Sequence, residues 1–196
     1  MHYPASLGAL ALSAALGCSI ALAPATACAA DVAGVHLEER LPLVPQPLVL
    51  NGAGLRTRFF IQVYVAALYV PQKTRQPEAI IANAGPRSLK LRLLREMDAD
   101  TLLGALEDGL RQNLSEAELA SLRPAREQFG ALVRQVGKAR EGDELSLDFA
   151  PEGVSLGLNG TPRGQVADAA LGPALLRIWL GARPVDPGLK KALLGG

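Results

Sequence analysis

Two arginines stand at the start of a long apolar segment of the chain. The stretch NGAGLRTRFFIQVYVAALYV, residues 51–70, carries Arg56 and Arg58 just before a run of aliphatic and aromatic residues. A charged side chain is costly to bury unless something pairs with it. A guanidinium beside apolar surface could bind the head group of an amphipathic anion through charge-assisted hydrogen bonds, or it could pair with a carboxylate of the protein. The residues alone leave both interpretations open.

Several other chemistries are excluded by residue type. His36 is the only histidine after residue 30, and both cysteines, Cys18 and Cys28, precede it. One histidine without a cysteine cannot build a structural zinc site, and the chain has no HExxH motif. The glycines of NGAGL precede a predicted strand, so they lack the helix N-terminus that a phosphate-binding loop needs. We therefore expect no metal and no cofactor, and we expect His36 to lie at the surface.

The other charged and aromatic candidates have simple structural interpretations. Asp98 and Asp100 stand at the start of a predicted helix, where a carboxylate caps free backbone N–H groups. Glu107 and Arg111 are four residues apart on that helix and are expected to form an exposed ion pair. Trp179 lies among leucines at helical spacing and is expected in the core.

Composition indicates one ordinary globular domain. The chain has 196 residues, of which 49% are hydrophobic and 20% charged, with a net charge of +1. This length allows a substantial single core. A net charge near zero gives no global field for nucleic acid or for an anionic membrane, so we expect no nucleic-acid partner.

The first thirty residues resemble a signal peptide. They contain no Asp, Glu, Lys or Arg, and an Ala- and Leu-rich middle is followed by Ala27-Cys28-Ala29, which fits small-residue cleavage after Ala29 or Ala30. A membrane anchor and a lipoprotein are the less favoured alternatives. We therefore expect a periplasmic or secreted protein, with a signal peptide over 1–30 and one domain over 31–196. That domain would lack cysteine, and no other segment is long and apolar enough to span a bilayer.

The remaining pattern predicts an α+β fold. A short strand is expected around Val35–Glu38, and a glycine turn is expected to separate the next two strands. The further predicted strands lie over 47–52, 58–70 and 88–94, with a β-hairpin over 143–160. The further predicted helices lie over 76–85, 97–115, 115–136 (broken into two pieces near Pro124), 167–181 (interrupted at Gly172-Pro173) and 186–195. Paired strands and clustered helices favour an antiparallel sheet over a doubly wound fold.

Four stretches together resemble the chalcone isomerase family. These are LNGAGLRTRFFIQVYVAALYVP, DADTLLGALEDGLRQN, GVSLGLNGTP and LGPALLRIWLGARPVDPGLKKALLG, within residues 45–194, and the chain looks closest to bacterial, exported chalcone-isomerase-like proteins. The resemblance implies an open-faced β-sandwich, in which a large antiparallel sheet carries helices on one face and ligand enters a cleft between them. In the plant enzymes an arginine stabilises an oxyanion, whereas in fatty-acid-binding members the same arginine holds a carboxylate.

The same resemblance implies a set of site residues. The family arginine matches Arg56, the strand threonine falls at Tyr64, the helical tyrosine falls near Thr101, and the asparagine falls near Asp108. Only the arginine is unchanged. A carboxylate at position 108 would add negative charge near a developing anion and would hinder the isomerase reaction.

Three functions remain as hypotheses. The first is binding of a small amphipathic anion, such as a fatty acid or an aromatic acid, through Arg56, Tyr64, Thr101 and Asp108. The second is an isomerase or intramolecular lyase that acts on an enone, with Arg56 as the catalytic electrophile. The third is a structural periplasmic partner protein in which Arg56 pairs with a carboxylate. An open cleft that reaches Arg56 would favour the first two hypotheses. A filled cleft with Arg56 in an ion pair would favour the third hypothesis.

Overall fold

The computed structural model describes residues 30–42 and 46–196, so the predicted signal peptide and its cleavage site fall outside the described residues except for Ala30. The strands are β1 (Ala30–Val32), β2 (Val35–Leu37), β3 (Arg40–Leu41), β4 (Leu48–Arg58), β5 (Ile61–Val70), β6 (Arg87–Leu93), β7 (Met97–Asp98), β8 (Lys138–Ala139), β9 (Glu144–Ala150), β10 (Gly153–Leu158) and β11 (Thr161–Val166). The helices are α1 (Pro77–Ile81), α2 (Ala99–Asn113), α3 (Glu116–Ser121), α4 (Arg123–Val136), α5 (Leu171–Leu180) and α6 (Pro187–Leu193).

One large antiparallel sheet organises the domain. Its seven strands follow the order β11-β10-β9-β6-β5-β4-β3, and every neighbouring pair is antiparallel. The helices bury one face of this sheet in the main core. The predicted α+β fold, with an open-faced antiparallel sheet and helices on one face, is therefore confirmed.

Strand β5 is apolar on both faces, as its sequence predicts. Ala66 and Leu68 point to the helical core, whereas Val65, Ala67 and Tyr69 point to a second cluster on the opposite face. That second cluster is completed by residues of β1–β4, and the Tyr69 hydroxyl donates a hydrogen bond to the Glu38 carbonyl oxygen at 2.9 Å. The N-terminal strands are thus the cover that the second apolar face requires.

Side-chain caps mark where α2 and α3 begin. Asp98 caps α2 by accepting a hydrogen bond from the backbone N–H of Thr101, and Ser115 and Glu118 form the predicted capping box of α3. The predicted interruption at Gly172-Pro173 is wrong. Helix α5 begins at Leu171, and proline is tolerated in a first turn because its missing N–H would have no partner there.

The predicted glycine turn at residues 52–54 is also wrong. Strand β4 continues through Gly52 and Gly54 to Arg58, and the chain reverses direction only after Arg58, at Phe59-Phe60. The glycines are needed for packing instead of turning. A Cβ atom at Gly52 would collide with the carbonyl oxygen of Ala192 in α6, and one at Gly54 would lie 2.7 Å from the Ala192 Cβ. Helix α6 can lie against β4 only because both positions lack a side chain.

The turn between β4 and β5 has an unusual composition. Arg58 pairs with Ile61, which leaves a two-residue turn in which Phe59 and Phe60 have φ values of +48° and +64°. This is the pattern of a type I′ turn, which strongly favours Asn-Gly. The left-handed region costs a residue with a side chain about 1–2 kcal/mol. Sequence reasoning placed both phenylalanines inside a strand because Phe-Phe carries no turn signal.

The outer strand β11 was missed for a similar reason. Its sequence TPRGQV contains a proline and a glycine, both of which are depleted in strands. Strand β11 lies at an edge of the sheet, where a proline can be accommodated. Within residues 30–42 and 46–196, no helix has both the length and the hydropathy needed to cross a membrane.

The packing of α6 on β4 yields a stability prediction. We expect Gly52→Ala to lower the free energy of unfolding by about 1–3 kcal/mol, because the added methyl group overlaps the backbone of α6. Gly104→Ala is the matched control. Gly104 is exposed in α2 with open space at its Cβ position, so alanine there should raise the free energy of unfolding by about 0.5–1 kcal/mol. Urea denaturation measures both values, and equal effects of the two substitutions would contradict the packing argument.

Candidate functional site

An open cleft lies on the helical face of the sheet, at the end where β4 and β5 meet. Its volume is about 460 Å³. Apolar side chains from the sheet, α2 and α5 form most of its lining, among them Val63, Leu91, Leu102, Leu106 and Ile178. Arg56, Tyr64 and Thr101 also line it. The structure therefore brings three of the four residues predicted for the site to one cleft.

Arg56 reaches the cleft from inside β4 and is partly screened from water. It pairs across the ladder with Tyr64 on β5. Its Nη1 atom donates to the Asp186 Oδ2 atom at 3.4 Å, and the two side chains are 19% and 21% exposed. Nη1 also donates to the carbonyl oxygen of Thr57. Both alternatives posed for this arginine are thus present together, since an open cleft reaches a guanidinium that already has a carboxylate neighbour.

Asp186 has two roles at once. Its Oδ1 atom accepts hydrogen bonds from the backbone N–H groups of Gly188 at 2.8 Å and Leu189 at 3.0 Å, which caps α6. Its Oδ2 atom faces Arg56. Sequence reasoning did not include Asp186 in the site. The Asp-Pro step signals a helix start, but nothing local to it indicates which strand the helix packs against.

Tyr64 supplies a neutral polar group beside the guanidinium. Its hydroxyl oxygen accepts a hydrogen bond from the Trp179 Nε1 atom at 3.0 Å, so its own proton is free to be donated. Burial raises the pKa of the Tyr64 hydroxyl, and the Trp179 hydrogen bond and the positive charge of Arg56 only partly oppose that rise. Tyr64 therefore stays protonated at neutral pH and can donate to a bound anion. Trp179 is buried, as predicted, but its indole N–H was missed as a part of the site.

The start of α2 forms another part of the cleft lining. The Asp98 Oδ1 atom accepts a hydrogen bond from the backbone N–H of Thr101 at 2.7 Å, and hydrogen bonds from Thr101 lower the pKa of Asp98. Because this carboxylate already occupies the N-terminus of the helix, the first turn of α2 is a poor place for a second anion. Thr101 is exposed and lines the cleft. Arg56 and Tyr64 are thus the better pair to hold a negative head group.

The structure does not bring Asp108 to the cleft. It lies two turns beyond Thr101, on the same exposed stripe of α2 but about 10 Å further along the axis. Its carboxylate pairs with Arg111 at 3.9 Å. The predicted pair of Glu107 with Arg111 is wrong, because Glu107 lies on the side of α2 that faces α4 and pairs with Arg126 there.

Other candidate chemistries find no support in the described part of the chain. His36 is exposed and lies beside Asp31, as a surface residue should. Residues 153–157, GVSLG, match a Gly-x-Ser-x-Gly pattern, but they lie within β10 and not at the strand-to-helix turn that a nucleophilic serine requires. The described residues contain no group of three or more His, Cys, Asp or Glu side chains placed to hold a metal ion.

Comparison with known proteins agrees with this architecture. A family model described as chalcone isomerase-like matches residues 29–195. A search of curated proteins gives no significant match. Among solved structures, a fatty-acid binding protein of Arabidopsis thaliana superposes with a TM-score of 0.66 at 14% sequence identity, over 82% of this chain and 92% of that one. At this identity the likeness concerns the fold.

The environment of Tyr64 gives a pH prediction. Since burial raises its pKa above the ordinary value of 10.0, the folded state holds its proton more tightly than the unfolded state does. The resulting stability is complete below about pH 10 and is lost as the pH rises further. A difference titration of tyrosinate absorbance between wild type and Tyr64→Phe should show Tyr64 ionising well above that pH, or only on unfolding. Ionisation of Tyr64 in the folded protein at its ordinary pKa would contradict the buried hydrogen-bonded arrangement.

Proposed function

The chain belongs to the chalcone isomerase-like family, and on that premise we propose that it binds a small amphipathic anion in the cleft, with Arg56 holding the head group. The anion is a fatty acid or an aromatic acid. The observation that carries the proposal is the position of Arg56 directly across the β-ladder from Tyr64, where both side chains line the polar part of an otherwise largely apolar cleft. Charge-assisted hydrogen bonds hold a carboxylate in such a place.

The size and lining of the cleft support this ligand class. A volume of about 460 Å³ falls in the range of small-molecule sites. Aliphatic side chains such as Val63, Leu102 and Ile178 suit an apolar tail. The fatty-acid binding protein of Arabidopsis thaliana, which shares the fold, adds support for a lipid-like acid as the ligand.

The Asp186 carboxylate partly neutralises the positive charge that Arg56 would offer to a ligand. A bound carboxylate and Asp186 would compete for the same guanidinium and would repel each other. The guanidinium has five N–H donors in a planar fork, so N–H groups on one edge can keep Asp186 while those on another edge bind the ligand. Part of the binding free energy is nevertheless lost to the internal ion pair.

The same ion pair bears on the two other hypotheses. In an isomerase or intramolecular lyase, Arg56 would stabilise an oxyanion formed from an enone, and a carboxylate 3.4 Å from the guanidinium weakens that stabilisation. In a structural protein, the Arg56–Asp186 pair would serve only to fasten α6 to β4. The open cleft beside Arg56 favours binding over the structural role.

We also propose that the protein is exported and acts in the periplasm or outside the cell. The uncharged, Ala- and Leu-rich first thirty residues and the small residues around Cys28 support a cleaved signal peptide. The absence of cysteine after residue 28 fits an oxidising compartment.

Intact-mass analysis tests the export proposal. We expect protein recovered from the periplasm or the medium of the producing cell to begin at Ala30 or Asp31. A soluble cytosolic protein that keeps Met1 would refute export and would leave the binding proposal untouched.

Paired substitutions at Arg56 and Asp186 test the binding proposal. Trp179 is the only tryptophan of the chain and lines the cleft, so its fluorescence reports directly on binding. We expect Arg56→Ala to weaken binding of decanoate by about tenfold to a hundredfold, because it removes a charge-assisted contact. Asp186→Asn should strengthen binding by up to about tenfold, because it frees the guanidinium from its competitor while the amide oxygen still caps α6.

Controls separate a ligand effect from a folding effect. Arg163→Ala removes an exposed arginine on the far edge of the sheet and should leave decanoate binding unchanged. Decanol, which lacks the carboxylate, should bind weakly to wild type and respond little to either substitution at the site. If Arg56→Ala and Asp186→Asn both lower the free energy of unfolding and neither changes decanoate binding, the ion pair is only structural and the third hypothesis replaces the first.

A further inference from the structure

The turn between β4 and β5 exposes an unusual amount of apolar surface. Phe59 is 81% exposed, Phe60 is fully exposed and Ile61 is 49% exposed. We call these three residues the aromatic tip. In the described part of the chain they are the large hydrophobic side chains that remain open to water. Contiguous exposed apolar groups mark interaction sites more often than they serve the fold.

The backbone conformation of the aromatic tip is unfavourable for phenylalanine, so folding stability alone does not explain these residues. Both phenylalanines adopt positive φ, in a turn that Asn-Gly fits best. The sheet uses that favoured pair elsewhere, since Asn159-Gly160 forms the two-residue turn between β10 and β11, with φ values of +51° and +74°. The sheet thus contains one such turn with a favourable sequence and one with an unfavourable sequence. The unfavourable turn lies beside the cleft, where it lowers local stability and exposes two aromatic rings.

Positive charge borders the aromatic tip. Arg58 and Arg95 are exposed, line the mouth of the cleft, and within the described residues neither lies within ion-pair distance of a carboxylate. The Arg58 guanidinium lies 5.5 Å from the centre of the Phe59 ring. Lys138 is nearby but is paired with Glu96 at 2.7 Å. Two free cations therefore flank a small apolar projection.

We propose that the aromatic tip inserts into the interfacial region of an anionic lipid bilayer, with Arg58 and Arg95 against lipid phosphates. Exposed phenylalanine side chains of peripheral proteins bury into the boundary between headgroups and acyl chains. Arginine side chains extend from that depth to phosphate oxygens. A narrow two-residue turn can insert between lipids, because a fluid bilayer needs no preformed pocket to receive it. A protein partner would have to supply such a pocket.

The arrangement places the mouth of the cleft at the lipid surface. Phe59 and Ile61 belong to both the tip and the cleft lining, so one side of the cleft mouth continues the apolar surface of the tip. Three apolar side chains and two arginines make a small contact, so the association is reversible and weakens with salt. It does not depend on which ligand the cleft holds, and it stands if the cleft binds no acid.

Sedimentation with vesicles of phosphatidylcholine and phosphatidylglycerol tests the proposal. Wild type should bind these vesicles, and binding should fall in high salt and on vesicles of phosphatidylcholine alone. The variant F59N/F60G replaces the tip by the pair that the turn favours. It should bind at least about tenfold more weakly, because two aromatic rings no longer leave water. Its thermal midpoint should equal or exceed that of wild type, which excludes unfolding as the cause.

A charge-matched pair of variants completes the design. Arg58→Glu should weaken vesicle binding, whereas Arg163→Glu makes the same charge change on the far edge of the sheet and should have little effect. Phe60→Gly leaves the cleft lining in place, so it should weaken vesicle binding and preserve decanoate binding. Failure of wild type to bind vesicles would overturn the proposal and leave a protein partner as the occupant of the tip. Equal binding by wild type and F59N/F60G, or by Arg58→Glu and Arg163→Glu, would overturn it as well.

Discussion

The close approach of α6 to β4 is the contact on which the site depends. Gly52 and Gly54 leave room for the backbone and the methyl group of Ala192, so the helix lies directly on the strand. That placement brings Asp186, at the start of the helix, to Arg56 on the same face of β4. The position of the ion pair therefore follows from sterics. Electrostatics then decides how much of the positive charge of Arg56 remains exposed to the cleft.

Much of the fold could be predicted because the decisive signals are local. The alternation of Leu89, Leu91 and Leu93 identifies a strand of the sheet, and the capping box at Ser115 and Glu118 marks a helix start. Some errors arose where a distant contact overrides local preference, and others where the local sequence is atypical for the element it forms. The glycines of β4 look like a turn until α6 is present, and the true turn is hidden because Phe-Phe is a poor turn sequence.

The site was predictable only in part, and for a related reason. Arg56 and Tyr64 lie on neighbouring strands that are close in sequence, and the resemblance to a known family identified both. Asp186 is 130 residues from Arg56, so no spacing rule links the two. Trp179 reads as an ordinary core residue, because its polar N–H becomes relevant only once Tyr64 is opposite it. Asp108 was assigned along a helix axis, where an error of one or two turns moves a side chain out of a small cleft.

The glycines and the arginine of β4 carry different information, although they form one short motif. Gly52 and Gly54 indicate that a helix packs closely on the strand, whereas Arg56 indicates that the cleft contains a positive charge. A relative that keeps both glycines but has a neutral residue at the arginine position would retain the architecture without this chemistry. A single score summed over the whole motif would therefore rank such a relative close to one that keeps the arginine. Scoring the two parts separately would distinguish inheritance of the scaffold from inheritance of the site.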